Sequence, residues 1–278
     1  MRALVSIASK VYYATPFPKV RALYFNAFLA LAKNRRIVTR SDGLVFEFDL
    51  NEMIDVALFL GRFEPDVVAA IQKYCLPGSF VLDIGANIGA HTLRFARAAG
   101  PTGRVYAFEP TDFAYQKLVR NITLNAFVNV IPVHVALSDH AAKAQTVDFR
   151  ASWRSDGGRA DKPSVTNFER LDDWCEAHRI ERIDLVKLDV DGNEFTILEG
   201  GRRTVERFCP VFLLETGHHH VIDPAKNPLR ILDSFGYGFH DAKSGRRFET
   251  LSVLEGHLLT LGADMTETIN LVGQSRRT

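Results

Sequence analysis

Short apolar runs alternate with amphipathic ones along most of the chain, and that rhythm carries the first reading. Residues 80–84 form a strand-length apolar run broken only by Asp83. Gly85-Ala86-Asn87-Ile88-Gly89 follows, and Ile88, Thr92, Phe95 and Ala99 then recur at helical spacing. Residues 105–108 are apolar again and end on Glu109-Pro110. Strand, glycine turn, helix and strand make a βαβ unit.

The same rhythm runs outward in both directions. Leu44, Phe46 and Phe48 alternate with polar neighbours, predicting a strand, and 51–60 and 66–74 read as helices. Glu64 precedes Pro65 and is expected to be extended. Downstream, 112–125 is a helix through Ala114, Leu118 and Ile122, and 130–137 is a third strand ending at Ser138-Asp139. Residues 141–166 lack apolar periodicity and suggest a hairpin insertion with a loop. A helix over 171–178 leads to a fourth strand, 183–190, which places Lys187 and Asp189 on one face. A fifth strand, 211–214, runs into Glu215 and His218-His219-His220, and a helix follows through Leu229, Leu232 and Phe235. Terminal strands are expected near Phe239 and over 258–261, with 273–278 frayed. Strands alternating with helices predict an α/β fold: a doubly wound, Rossmann-like sheet with helices on both faces. We expect an N-terminal cap over 1–60 and a ligand-binding domain over 61–278.

Composition narrows the class. The chain has 278 residues, 46% apolar and 24% charged, with a net charge of +1. That is ample for one large core and gives no field that would draw nucleic acid. Three scattered cysteines without metal-ligand spacing read as buried thiols, hence an expectation of a reducing, cytoplasmic setting. Residues 1–33 are apolar and basic, and no acid occurs before Asp42. Their longest apolar run, 23–32, falls short of the ~20 residues a spanning helix needs. A packed helical cap is the expected form there, ahead of a basic amphipathic helix touching a membrane surface. Asn121-Ile122-Thr123 is a glycosylation triplet in form, but it falls inside a predicted helix and is discounted.

The candidate chemistry starts at the glycine turn. A dinucleotide fingerprint G-x-G-x-x-G would need glycine at position 90, where alanine stands. Asp83 also argues against a pyrophosphate, which an acid would repel. S-adenosylmethionine carries a sulfonium and an ammonium, which an acid favours. Glu109, at the end of the next strand, suits two ribose hydroxyls because a carboxylate accepts two hydrogen bonds at once. The pattern therefore predicts S-adenosylmethionine as cofactor, with Asp83, backbone at Gly85 and Ala86, Asn87, Gly89 and Glu109 around it. Ser138 is expected to meet the adenine, and Glu64 is read either as a solvated loop acid or as a residue reaching the cofactor. Asp189-x-Asp191-x-Asn193 resembles half a calcium loop, but its glycine is misplaced and Gly200 stands where the closing glutamate belongs. Calcium is therefore excluded; a catalytic divalent ion using Asp189 and neighbouring acids stays open, and no metal site is assigned.

These stretches together resemble the FkbM family of S-adenosylmethionine-dependent methyltransferases. The matching pieces are Gly61-Arg62-Phe63-Glu64-Pro65, VLDIGANIGAHTL (81–93), VYAFEP (105–110), Leu124-Asn125, Ala136-Leu137-Ser138-Asp139, Leu171-Asp172-Asp173, DLVKLDVDGNEFTILEGG (184–201) and LLET (213–216). They cover roughly 42 to 240. Asp191 departs from the glutamate more usual in the family, with the charge kept. The resemblance implies methyl transfer to a hydroxyl, often of a sugar or natural product. Such an alcohol must lose its proton, and Asp189, Glu215 and His218 at the ends of strands four and five are the catalytic candidates, histidine being the residue type that titrates nearest neutrality. The competing readings are an NAD-type oxidoreductase and a cofactor-binding module without catalysis.

Overall fold

The computed structural model describes residues 35–262 and 267–276, so the expected cap or membrane helix over 1–33 lies outside the described residues. Contacts divide the chain into two compact units: Met1–Phe63 with Arg150–Lys162, and Glu64–Phe149 with Pro163–Thr278.

In the first unit, β1 (Arg36–Ser41) pairs antiparallel with β2 (Leu44–Asp49). The two-residue turn is Asp42-Gly43, both at positive φ (51° and 76°), the combination a tight hairpin requires. Leu44, Phe46 and Phe48 face inward and are fully buried, as their alternation predicted. Helix α1 (Met53–Phe59) follows, and the Ser41 hydroxyl donates to its Leu58 carbonyl at 2.6 Å. Residues 150–162 join this unit through Glu52. Its buried carboxylate accepts from the Ser152 hydroxyl at 2.8 and 3.0 Å and from the Trp153 N–H at 3.1 Å. The Met53 N–H donates to the Trp153 carbonyl at 2.7 Å, tying the same two segments by backbone.

The second unit opens with α2 (Pro65–Tyr74) and continues through β3 (Phe80–Ile84), α3 (Thr92–Ala99), β4 (Arg104–Phe108), α4 (Asp112–Leu124) and β5 (Val130–Val133). Next come β6 (Val135–Ser138), β7 (Ala142–Val147), β8 (Ser164–Arg170), α5 (Leu171–Ala177), β9 (Leu185–Leu188), α6 (Glu194–Gly200), α7 (Arg202–Phe208) and β10 (Val211–Gly217). The chain closes with α8 (Pro228–Ser234), β11 (Tyr237–Asp241), β12 (Arg247–Phe248), α9 (Leu251–Leu259) and β13 (Thr268–Ser275).

The large sheet has the order β12-β11-β13-β10-β9-β3-β4-β5. Strands β10, β9, β3, β4 and β5 are parallel, and β13 lies antiparallel between β10 and β11. This is a doubly wound, Rossmann-like α/β sheet. Its central strands are buried on both faces, as parallel strands roofed by helices must be. On one face Leu82, Ile84, Tyr106, Phe108, Val186, Leu188, Phe212 and Leu214 join a core with Trp174, Ile197, Leu198 and Leu254. The Trp174 ring meets Phe108 edge-on at 4.8 Å and Tyr106 at 5.1 Å. On the opposite face Val81, Val105, Ala107 and Leu185 are buried, and α3 packs on β3 and β4. Chain order reverses across the β3–β9 pair, so the crevice at their carboxyl ends is the switch point where such sheets take ligands.

Three expectations are corrected. The strand expected over 130–137 breaks at His134: its first half is the edge of the large sheet, and its second half enters a three-stranded sheet, β6-β8-β7. Residues 258–261 are not a strand, because Leu254 and Leu258 lie one helical turn apart and α9 buries both. Of the tail expected to fray, 273–275 are instead the end of β13, wedged between two partners, and 277–278 lie outside the described residues.

Candidate functional site

The site grows from the turn after β3. Gly85 has φ +80°, and a Cβ there would lie 1.8 Å from the Asp189 carbonyl oxygen; the turn therefore presses against the end of β9 as only glycine allows. The Gly85 and Ala86 N–H groups both donate to the Phe108 carbonyl, at 3.1 and 2.9 Å. Asn87, in the left-handed region at φ 47°, sends its N–H to Glu109 at 2.9 Å and caps the Ile88 N–H with its own side chain at 2.8 Å. From α4 the fully buried Asn121 donates to the Ile88 carbonyl at 2.8 Å, which is why the triplet there is no glycan site.

Glu109 is thus built into the turn. Its other oxygen accepts from the Thr111 N–H at 2.9 Å and hydroxyl at 2.5 Å. Burial raises its pKa, while hydrogen bonds from Thr111 and Asn87 and the Lys187 charge oppose the rise. A carboxylate offers about four lone-pair sites, and Asn87 and Thr111 supply three donors, so some acceptor capacity is left.

Behind the turn lies a charged row. Asp83 in β3 and Lys187 in β9 are register partners, and both side chains are buried. The Lys187 ammonium is 2.8 Å from Asp189 and 3.8 Å from Asp83, and donates to the Gly85 carbonyl at 3.4 Å. Burial would lower the Lys187 pKa, but Asp189 and Asp83 outweigh it and the net shift is upward. Asp83 also accepts from the Thr92 hydroxyl at 2.5 Å and is fully buried. Its carboxylate is therefore turned to Lys187 and Thr92 within the sheet.

Asp189 continues the row outward. Burial pushes it up, yet Lys187 and a hydrogen bond shared with Glu215 hold it below the ordinary carboxylate value. Glu215, at the end of β10, is pushed up to about 9 by burial and by the Asp189 charge, against a hydrogen bond from the Thr268 hydroxyl at 2.5 Å. The two carboxyl groups thus titrate as a pair, Asp189 held down and Glu215 pushed up. Burial, Asp189 and Glu194 raise Asp191 to about 6. Asp189, Asp191 and Glu215 each offer an oxygen within 4.8 Å of the others, a donor set that could hold a metal ion.

The row is flanked by a pair that no motif or spacing connects. Glu64 sits at the N-cap of α2 with φ 42° and ψ 65°: it avoids the right-handed region, as a residue before proline must, but by turning left-handed rather than extending. Its carboxylate accepts from the Nε2–H of His91 at 2.5 Å, with the histidine ring buried and the glutamate 29% exposed. The Glu64 charge acts on both Lys187 and Glu215.

Other expected residues fall elsewhere. Ser138 ends β6 in the small sheet, with its hydroxyl against Asp139 and His140. The histidine run forms a single turn, His218–His220. His220 donates from Nε2 to the buried Glu194 at 2.9 Å and accepts the Gly217 N–H at Nδ1; Glu194 in turn holds the Val190 and Gly192 N–H groups. His220 is thus a loop anchor, while His218 lies half-buried at the same strand end. Sequence reading missed His91 and Thr268, whose partners are 27 and 53 residues away.

The chain is similar to several known proteins. The chain is 28% identical over 163 residues to the 2-O-methyltransferase NoeI of Sinorhizobium fredii, covering 51% of this chain and 63% of that protein. It is 27% identical over 144 residues to the hexuronic acid methyltransferase AglP of Haloferax volcanii, covering 50% and 56%. The chain thus spans about three-fifths of the curated relatives it matches. Among solved structures, the methyltransferase FkbM of Methylobacillus flagellatus superposes with a TM-score of 0.47 at 18% identity, covering 90% of this chain and 58% of that one. Residues 83–239, from the buried Asp83 to the sixth core strand, match the methyltransferase FkbM domain, and the chain belongs to that family.

Proposed function

We propose that the protein is an S-adenosylmethionine-dependent O-methyltransferase acting on a hydroxyl of a sugar or other small molecule. The observation that carries this is the Gly85–Gly89 turn hydrogen-bonded to Glu109, beside a switch-point crevice lined by the carboxyl groups of Glu64, Asp189, Asp191 and Glu215 against the Lys187 ammonium. Such a wall suits a ligand bearing a sulfonium and an ammonium and opposes a pyrophosphate, which disfavours the NAD-type reading. The named activities of NoeI and AglP supply the acceptor class. We place Gly85, Ala86, Asn87, Gly89 and Glu109 at the cofactor, with Asp83 behind the turn acting through Lys187, Ser138 as a more distant contact, and residues 61–278 as the domain that binds it.

When bound, the donor supplies an electrophilic methyl group on a good leaving group. The chain's own work is then alignment and proton removal. Glu109 takes the ribose hydroxyls, and the Asp189–Glu215 pair, once deprotonated, accepts the proton of the acceptor hydroxyl. His218 is the competing base. Calorimetric titration with S-adenosylmethionine tests the cofactor reading. Binding by the native chain and a loss of about 10-fold or more in Glu109→Ala are expected; no binding by the native chain refutes the proposal.

A second reading is favoured by the Asp189, Asp191 and Glu215 juxtaposition: these residues would hold a hard divalent ion, which would make the acceptor hydroxyl easier to deprotonate. Turnover lost on chelation and restored by magnesium would select it. Among the described residues no helix is long and apolar enough to cross a membrane, and we propose a cytoplasmic setting.

A further inference from the structure

We propose that His91 is a positioning residue that aims the Glu64 carboxylate at the α-ammonium of the methyl donor, so that the pair selects ligands carrying the amino-acid end. This rests on the S-adenosylmethionine reading above and assigns one half of that ligand to residues that neither motif nor spacing connects.

Elimination among the acids leads there. An ammonium is held by a carboxylate that is charged, reachable and not already neutralised by a nearer cation. Asp83 is sealed within the sheet, with Thr92 on one oxygen and Lys187 across from the other. Asp189 is committed to Lys187 at 2.8 Å. Glu109 belongs to the far side of the turn, held by Asn87 and Thr111. Glu215 and Asp191 crowd Asp189, each offering an oxygen within 4.8 Å of the others, so like charges already fill that corner. Glu64 remains: it is partly exposed, it stands outside that cluster with a histidine rather than Lys187 as its partner, and its charge acts on Lys187 and Glu215.

Two features show that this carboxylate is held on purpose. A non-glycine residue in the left-handed region costs of the order of 1 kcal/mol or more, and such strain persists only where neighbours over-determine it. Here the neighbour is the His91 ring, buried at the head of α3 and donating a 2.5 Å hydrogen bond. Removing that donor would free Glu64 to relax toward solvent. His91 thus acts through Glu64 without touching the donor itself.

The experiment compares ligands on each folded variant by calorimetry: S-adenosylmethionine; S-adenosylhomocysteine, a neutral thioether that keeps the amino-acid end and should follow it; and 5′-methylthioadenosine, a neutral thioether that keeps the nucleoside but lacks the amino-acid end. Glu64→Gln and His91→Leu should each weaken S-adenosylmethionine by about 10- to 100-fold and leave methylthioadenosine unchanged. His91→Gln, which retains an N–H donor, should restore most of the loss, and Glu64→Gln combined with His91→Leu should cost no more than either alone. Because all three ligands are read on one sample, a partly unfolded fraction cancels from the ratio. Equal weakening of all three ligands in His91→Leu would mark a merely structural histidine, and unchanged S-adenosylmethionine affinity in Glu64→Gln would remove Glu64 from the ligand; either result overturns the proposal. Failure of the native chain to bind S-adenosylmethionine overturns instead the reading on which it rests.

Discussion

Replacing Lys187 with methionine is the sharpest test of the charged row. The substitution keeps much of the side-chain volume and leaves Asp83 and Asp189 facing each other without a cation. At an effective dielectric of about 20, a unit pair at 2.8 Å is worth about 6 kcal/mol and one at 3.8 Å about 4 kcal/mol. Those gross attractions are offset by the desolvation that the buried lysine no longer suffers. Measured losses on breaking buried pairs of this kind are about 3–5 kcal/mol, and we expect the same, with a fall in Tm on the order of 10 °C. The loss has a pH signature. Asp189 titrates below its ordinary value of 3.8 in the native protein, so the stability it contributes is present above that value and disappears as pH falls through the folded one. Lysine removal deletes this contribution, so native and variant should differ fully at pH 7 and converge in acid. Urea unfolding at several pH values measures the gap. Adding Asp83→Asn to the variant should recover part of it, because one uncompensated charge then goes. A gap under about 1 kcal/mol at pH 7, or one that does not narrow in acid, would refute the buried ion row.

Further tests concern single positions. Gly85→Ala forces a Cβ into the Asp189 carbonyl at a φ that alanine disfavours, and should yield protein that unfolds at markedly lower urea than native, a loss of at least about 2 kcal/mol. Ser152→Ala leaves the buried Glu52 short of a donor, at a cost of about 1–3 kcal/mol; faster proteolytic nicking within 150–162 should report it. If the Asp189–Glu215 pair is the base, single-turnover methyl transfer should rise with pH toward about 9 and lose that limb in Glu215→Gln. A limb that survives there and vanishes in His218→Asn would move the base to the histidine.

What could be read in the chain was what is local. The turn from Asp83 to Glu109 was legible because glycines, strand ends and helical spacing all lie within one βαβ unit. Glu215 was found because a strand end is marked by where its apolar run stops. The rest depended on distance. Nothing near His91 announces Glu64, since the two meet only after α2 and β3 have folded between them. Residues 150–162 showed no periodicity because they bury no stripe of their own; their partners are backbone groups and the Glu52 carboxylate on the far side of the chain. Apolar residues over 258–261 imitated a strand, and the polar alternation of β13, with Gly273 inside it, disguised one that is clasped on both edges.

The return of Arg150–Lys162 to the first unit bears on how such a protein can be re-engineered. Neither unit is one unbroken length of chain, so a fragment beginning at Glu64 would carry a stretch whose Glu52 mate had been cut away. Exchanging the first unit for that of another family member would need two splices made together, one near 63 and one bracketing 150–162, and a graft at the first junction alone should give insoluble product.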